Sequence, residues 1–158
     1  MSYRVPAPLT DADGDTVLLP WIEDVAEPFW AGCLAGELRV QRCPDTERLI
    51  FPPRPMSPWG ERREPEWATV SGRGTIWSFV VPHPPLLPVF AKRSPYNVVV
   101  VALDEDPTIR MIGNLVAAAD APIDSVDPAT IAIGQRVRVV FAPLGDEVAL
   151  PRWVRDDA

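Results

Sequence analysis

Residues 68–81 read ATVSGRGTIWSFVV, a run of strand-forming side chains interrupted by Gly72 and Gly74. Valine, isoleucine, threonine and aromatic residues suit a pleated, half-buried surface, and glycines inside such a run mark a bulge or a sharp bend. A small closed barrel needs such a bend to turn a corner. The chain downstream agrees, with short apolar runs separated by turn residues and no helix-length period. Tyr96 to Leu103 is a near-continuous apolar strand, and the next run places Ile109, Met111, Gly113 and Leu115 on one face. Val137, Val139 and Phe141 alternate with Arg136 and Arg138, and Val148 to Val154 supplies the fifth strand. Asp127-Pro128 reads as a cap and the first residue of a helical turn, which Gly134 ends. Five strands, an early bent one and a longer connection between the third and fourth predict a mainly β chain with an OB-type barrel over 68–158. A generic five-stranded sandwich fragment is the alternative.

Upstream, Glu27 to Gly36 predicts a short amphipathic helix. Pro28 suits the first turn, Phe29, Trp30, Cys33 and Leu34 fall at helical spacing, and Gly36 can take a left-handed stop. Leu38 and Val40 alternate with Glu37, Arg39 and Gln41, a strand leading into Cys43. Residues 44–67, PDTERLIFPPRPMSPWGERREPEW, are proline-rich and charged without a period, and read as a knuckle or irregular loop. The chain therefore divides into an N-terminal arm and helix (1–36), a knuckle segment (37–67) and the barrel (68–158).

Composition limits what this arrangement does. At 158 residues and 47% hydrophobic, the chain supports one compact domain and a small appendage, not two full domains. No window approaches eighteen apolar residues, and MSYRVPAPLTDADGD lacks a basic-then-apolar leader, so a cytoplasmic, soluble protein is expected. Cys33 and Cys43 are too few for a disulfide framework and are expected to stay reduced. A net charge of −7 and a pI near 4.7 argue against nucleic acid, whose binding rests on lysines and arginines. Twenty prolines, clustered in 52–65 and 82–95, indicate rigid extended loops.

Few residues stand out as chemical. His83, in VPHPPLLPVF, is the one histidine; no serine or cysteine accompanies it, so an exposed loop residue is expected in place of a general base. Cys33, on the apolar side of the helix, reads as a small core residue. The SGRG glycines precede a strand and not a lysine-serine pair and helix, which excludes a phosphate loop. Asp104, Glu105 and Asp106 read as a solvated hairpin closed by Pro107. Phe29, Trp30, Trp59, Trp67, Leu86, Leu87, Val89 and Phe90 are the apolar side chains a small barrel is least able to bury. They mark either an interface or a helix and loop folded back on the barrel.

In order, FWAGCLAGELRVQRC, FPPRPMSPWG, SGRGTIWSFVV, PYNVVVVALDE, IGNLV, IGQRVRVVF and LPRWV resemble the zinc-ribbon and OB-fold proteins known as domain-of-unknown-function family 35. The resemblance runs from about Pro20 to Val154 and implies a helix, a rubredoxin-like ribbon and an OB barrel. Members accompany thiolase-superfamily enzymes, including lipid-transfer-type thiolases, acyltransferases and steroid side-chain retro-aldolases, and MaoC-like hydratases. The family's implication for this chain is a hetero-oligomeric accessory subunit with no catalytic residue and no cofactor of its own, its coenzyme A thioester bound through the partner. A free-standing acyl-CoA-binding protein or weak thioesterase is the alternative. The family ribbon carries two C-x2-C pairs, which map onto Cys43 and Thr46, and onto Met56 and Trp59. One thiol among four positions implies a degenerate, metal-free ribbon. Lys92, Arg93 and Tyr96, two adjacent cations and a phenol at the far end of the His83 loop, make that loop a candidate to face the phosphates of an acyl-CoA, the alternative being a solvated basic pair. The apolar Phe29, Trp30, Leu86, Leu87 and Phe90 are candidates for the partner interface.

Overall fold

The computed structural model describes residues 2–11, 14–61 and 64–156. In chain order it contains β1 (Tyr3–Arg4), β2 (Ile22–Glu23), α1 (Glu27–Leu34), β3 (Leu38–Arg42), β4 (Leu49–Ile50), β5 (Glu66–Val70) and β6 (Arg73–Val80). Then follow α2 (Pro88–Ala91), β7 (Val98–Leu103), β8 (Arg110–Gly113), β9 (Arg136–Leu144) and β10 (Val148–Arg155). Single 3-10 turns precede α1 (Asp24–Ala26) and β9 (Pro128–Thr130). No helix among the described residues is long and apolar enough to cross a membrane.

The five strands from β6 onward form one antiparallel sheet in the order β10-β9-β6-β7-β8. A parallel bridge between Leu115 and Trp153 brings the chain after β8 against β10 and curls the sheet round. Its interior holds Ile76, Val99, Val101, Leu103, Ile109, Met111, Leu115, Val137 and Trp153, all buried; of the faces read from the sequence, Ile109, Met111, Leu115 and Val137 lie inside, whereas Val139 and Phe141 are half-buried. Each of the buried side chains contributes about 1.5–3 kcal/mol of burial. α1 packs against β10 and β3, with Phe29 and Cys33 in the same core. Its Pro28 start and Gly36 stop, at φ +77°, match the expected helix to within its frayed last turn.

The bend lies at Gly72. Its φ of +70° lets β5 end and β6 begin, its carbonyl accepts the Val139 amide at 2.7 Å, and a Cβ there would meet Val139 Cγ1 at 2.3 Å. The bent strand therefore belongs to two sheets. β5 pairs with β3 in the three-stranded ribbon sheet, order β4-β3-β5, and β6 pairs with β7 and β9 in the barrel. The boundary expected at 67/68 falls inside β5, because that half of the strand still satisfies its backbone against the ribbon. The register shift in β6 falls at Trp77, between Ile76 and Ser78, and not at a glycine. The helical turn at Asp127 is shorter than expected: Asp127 Oδ1 accepts the Ala129 amide at 2.9 Å, but the turn stops at Thr130, before Gly134.

Candidate functional site

Of the four ligand positions mapped onto the ribbon, Cys43 alone is a thiol. Cys43 is fully buried, and its thiol donates to the Trp59 carbonyl at 3.1 Å. Burial opposes ionisation of this thiol, but hydrogen bonds from the Ser57 and Thr46 side chains and from the Asp45 and Thr46 backbone outweigh it and lower its pKa. The side chain set against Cys43 from the second loop is thus Ser57, not Met56. Met56 is 53% exposed, and Ser57 points inward because its hydroxyl accepts the Trp59 amide at 3.1 Å and donates to the Trp59 carbonyl at 2.6 Å. The Trp59 indole lies under the Arg48 guanidinium, 4.1 Å from its ring centroid. Among the described residues no group of three or more His, Cys, Asp or Glu side chains is placed to hold a metal ion. Hydroxyls, a thioether and an indole do not substitute for zinc thiolates, so the donor set does not fit the metal that the ribbon fold implies.

The four residues considered for the acyl-CoA phosphates differ in exposure and in their partners. His83 is exposed in the loop before α2 and makes no hydrogen bond or ion pair among the described residues. Lys92 pairs with Asp15 of the N-terminal arm, and Arg93 lies 3.9 Å from Asp124. Tyr96 is 7% exposed under Phe90, its ring centroid 5.9 Å away. The two cations thus face carboxylates of other segments, and the phenol is covered. Cys33 is inert as well, its thiol pushed up to about 12 by burial against a smaller lowering from a backbone hydrogen bond.

The interface candidates divide. Phe29 is a core residue, stacked edge-on against Trp30 at 5.2 Å and tilted on Phe51 at 5.8 Å; it is not exposed for a partner. Helical spacing brought it to the inner side of α1, where the ribbon and barrel close over it. Trp30, Leu86 and Phe90 are half-buried, and Leu87 is exposed. Trp59 and Trp67, expected at the surface, are also half-buried.

The larger exposed apolar surface lies elsewhere. Ile112 is 71% exposed, and Trp77 and Val80 stand out from the same sheet, whose outer face between them is formed by Val98 and Val100. The Arg110 guanidinium covers the Trp77 ring at 3.6 Å and is a charged group on this face. Beside Ile112 opens a cleft of about 350 Å³ between α1 and the barrel, lined by Phe29, Trp30, Phe51, Gly113 and Pro151 among others. Half-buried Trp30 thus joins the outer sheet face through the cleft. Ile112 was legible in advance, since it falls out of phase with Ile109, Met111 and Gly113. Trp77 is outward by the same alternation, since it follows the buried Ile76; what the sequence does not mark is the register shift after it, which turns Phe79 and not Ser78 toward the core. A second apolar group is the exposed Tyr3–Trp21 stack on the N-terminal arm, with centroids 5.2 Å apart.

A bent strand shared between a three-stranded ribbon and a curled five-stranded sheet, with a helix capping the core, defines a zinc-ribbon and OB-fold protein. Residues 30–56 match the family described as "ChsH2, rubredoxin-like zinc ribbon domain", and residues 67–142 match "ChsH2, C-terminal OB-fold domain". The chain belongs to this ribbon and OB-fold family, domain-of-unknown-function family 35. It is 36% identical over 148 residues to a 3-oxo-4,17-pregnadiene-20-carboxyl-CoA hydratase alpha subunit of Mycobacterium tuberculosis, covering 93% of this chain and 43% of that protein. It is 32% identical over 124 residues to a probable enoyl-CoA hydratase alpha subunit of Thermomonospora curvata, covering 78% and 35%. The chain therefore spans less than half the length of these relatives. Among solved structures it superimposes on a chain of an Ltp2-ChsH2(DUF35) aldolase with a TM-score of 0.73 and 27% identity, covering 87% of this chain and 98% of that one.

Proposed function

We propose that this chain is a non-catalytic accessory subunit of an acyl-CoA-processing complex, holding its partner through the α1 cleft and the Trp77–Ile112 face. One observation carries the reading: the chain reproduces 98% of one component of an aldolase whose name joins two components. The hydratase relatives, each an alpha subunit acting in a CoA pathway, support the same assignment. The partner is a thiolase-superfamily lyase or acyltransferase, or a MaoC-like hydratase. Its substrate is the CoA thioester of a carboxylated steroid side chain or a similar bulky acid. The CoA thioester is bound by the partner, and this chain contributes no cofactor.

The surface suits that role physically. A deep apolar cleft accepts one large side chain, such as an aromatic anchor, and a flanking apolar sheet face excludes water around it. Arg110, already desolvated on one side by Trp77, supplies an oriented charge at the rim. Chemistry stays with the partner, whose active-site segments this subunit orders. The test is reconstitution of a candidate acyl-CoA enzyme from the same host with and without this chain. Association into a defined hetero-oligomer with gain of activity is expected; an active partner that ignores the chain would overturn the assignment.

A further inference from the structure

We infer that the ribbon of this chain is held shut by a hydrogen-bonded plug that occupies the place of a zinc ion. A structural zinc site brings two loops together through four donors at about 2.0–2.3 Å. Here three separate contacts join the same two loops without any metal. The Cys43 thiol donates across the loops to the Trp59 carbonyl at 3.1 Å, and the Ser57 hydroxyl, in the same loop as Trp59, holds that carbonyl in place at 2.6 Å. The Asp45 carboxylate accepts the Glu61 amide at 3.0 Å. The Arg48 guanidinium stacks on the Trp59 ring.

Each loop is also closed on itself. The Cys43 amide donates to the Arg48 carbonyl at 2.8 Å, and the Glu47 amide to the Cys43 carbonyl at 2.9 Å, with Glu47 at φ +60°. Position 60 has no room for a ligand, since a Cβ on Gly60 would come within 2.4 Å of Asp45 Oδ2. Loading a metal at Cys43 would remove the thiol proton, break the bond to the Trp59 carbonyl and find no second thiolate. The plug and a zinc site are therefore mutually exclusive, and the ribbon folds without regard to metal supply.

The experiment takes the full chain expressed in zinc-supplemented medium, measures bound zinc by mass spectrometry, and follows thermal melting with and without EDTA. Zinc well below one per chain and a melting temperature unmoved by EDTA are expected. Ser57→Ala and Asp45→Ala are expected to lower the melting temperature by about 2–4 °C each, the shift of roughly one hydrogen bond in a chain of this size. Cys43→Ser, which keeps a donor to Trp59, should melt close to the parent. One zinc per chain whose removal collapses the melting temperature would overturn the plug. So would Ser57→Ala and Asp45→Ala proteins that melt like the parent.

Discussion

Asn97 is fully buried and uses its whole side chain on one neighbour. Its Nδ2 donates to the Leu115 carbonyl at 2.9 Å and its Oδ1 accepts the Leu115 amide at 2.7 Å, pinning the chain after β8 where it meets Trp153. Asn97→Ala leaves two backbone groups buried without partners, each costing about 1–3 kcal/mol, so urea denaturation should register a loss of roughly 2–6 kcal/mol. Asp104 acts differently. Hydrogen bonds from Arg136, at 2.6 and 2.5 Å, together with the charges of Arg136 and Arg73, hold its carboxyl below the usual range despite some burial. The hairpin is thus tied to β9, a role its DED sequence did not disclose. A depressed folded pKa gives stability that is present above the unfolded value, about 3.9, and lost as pH falls through the folded value. Melting curves of Asp104→Asn and parent should therefore differ by a constant small amount from pH 5 to 7 and converge in stronger acid.

At the scale of elements, alternation made the barrel strands legible, because one face of each is buried and a one-residue slip would expose the core row. Val137, Val99 and Met111 lie inside as their spacing requires. The ribbon resisted such reading, since β4 is two residues long and its loops take their shape from side-chain hydrogen bonds with no period. That is why Met56 stood in for Ser57. On α1, spacing identified the apolar face but not which part of it the barrel would cover, so Phe29 was grouped with Trp30 although Phe29 is buried and Trp30 only half-buried. The two residues should now separate by experiment. Phe29→Ala is expected to destabilise the isolated chain by about 3–5 kcal/mol, as for a buried aromatic. Trp77→Ala and Ile112→Ser should leave its melting temperature within about 2 °C and weaken partner binding by about 2 kcal/mol or more, read by calorimetry against the partner.

For the whole molecule, the fold and family could be read from the ordered sequence blocks, whereas the functional surface could not, because a partner-binding face has no motif and is defined by what the fold leaves uncovered. His83, the one candidate base, stands alone in its loop. His83→Ala is expected to leave a reconstituted complex within a few-fold of full rate, where loss of a general base costs about a hundredfold or more. The most direct measurement is mass and activity of the complex formed when the chain and a candidate acyl-CoA enzyme from its own host are co-expressed and purified through a tag on this chain. The expected result is a stable hetero-oligomer that turns over the CoA thioester, lost when Trp77 and Ile112 are replaced together and absent from this chain alone. A monomeric chain that binds or hydrolyses the acyl-CoA thioester without any partner would contradict the accessory-subunit reading.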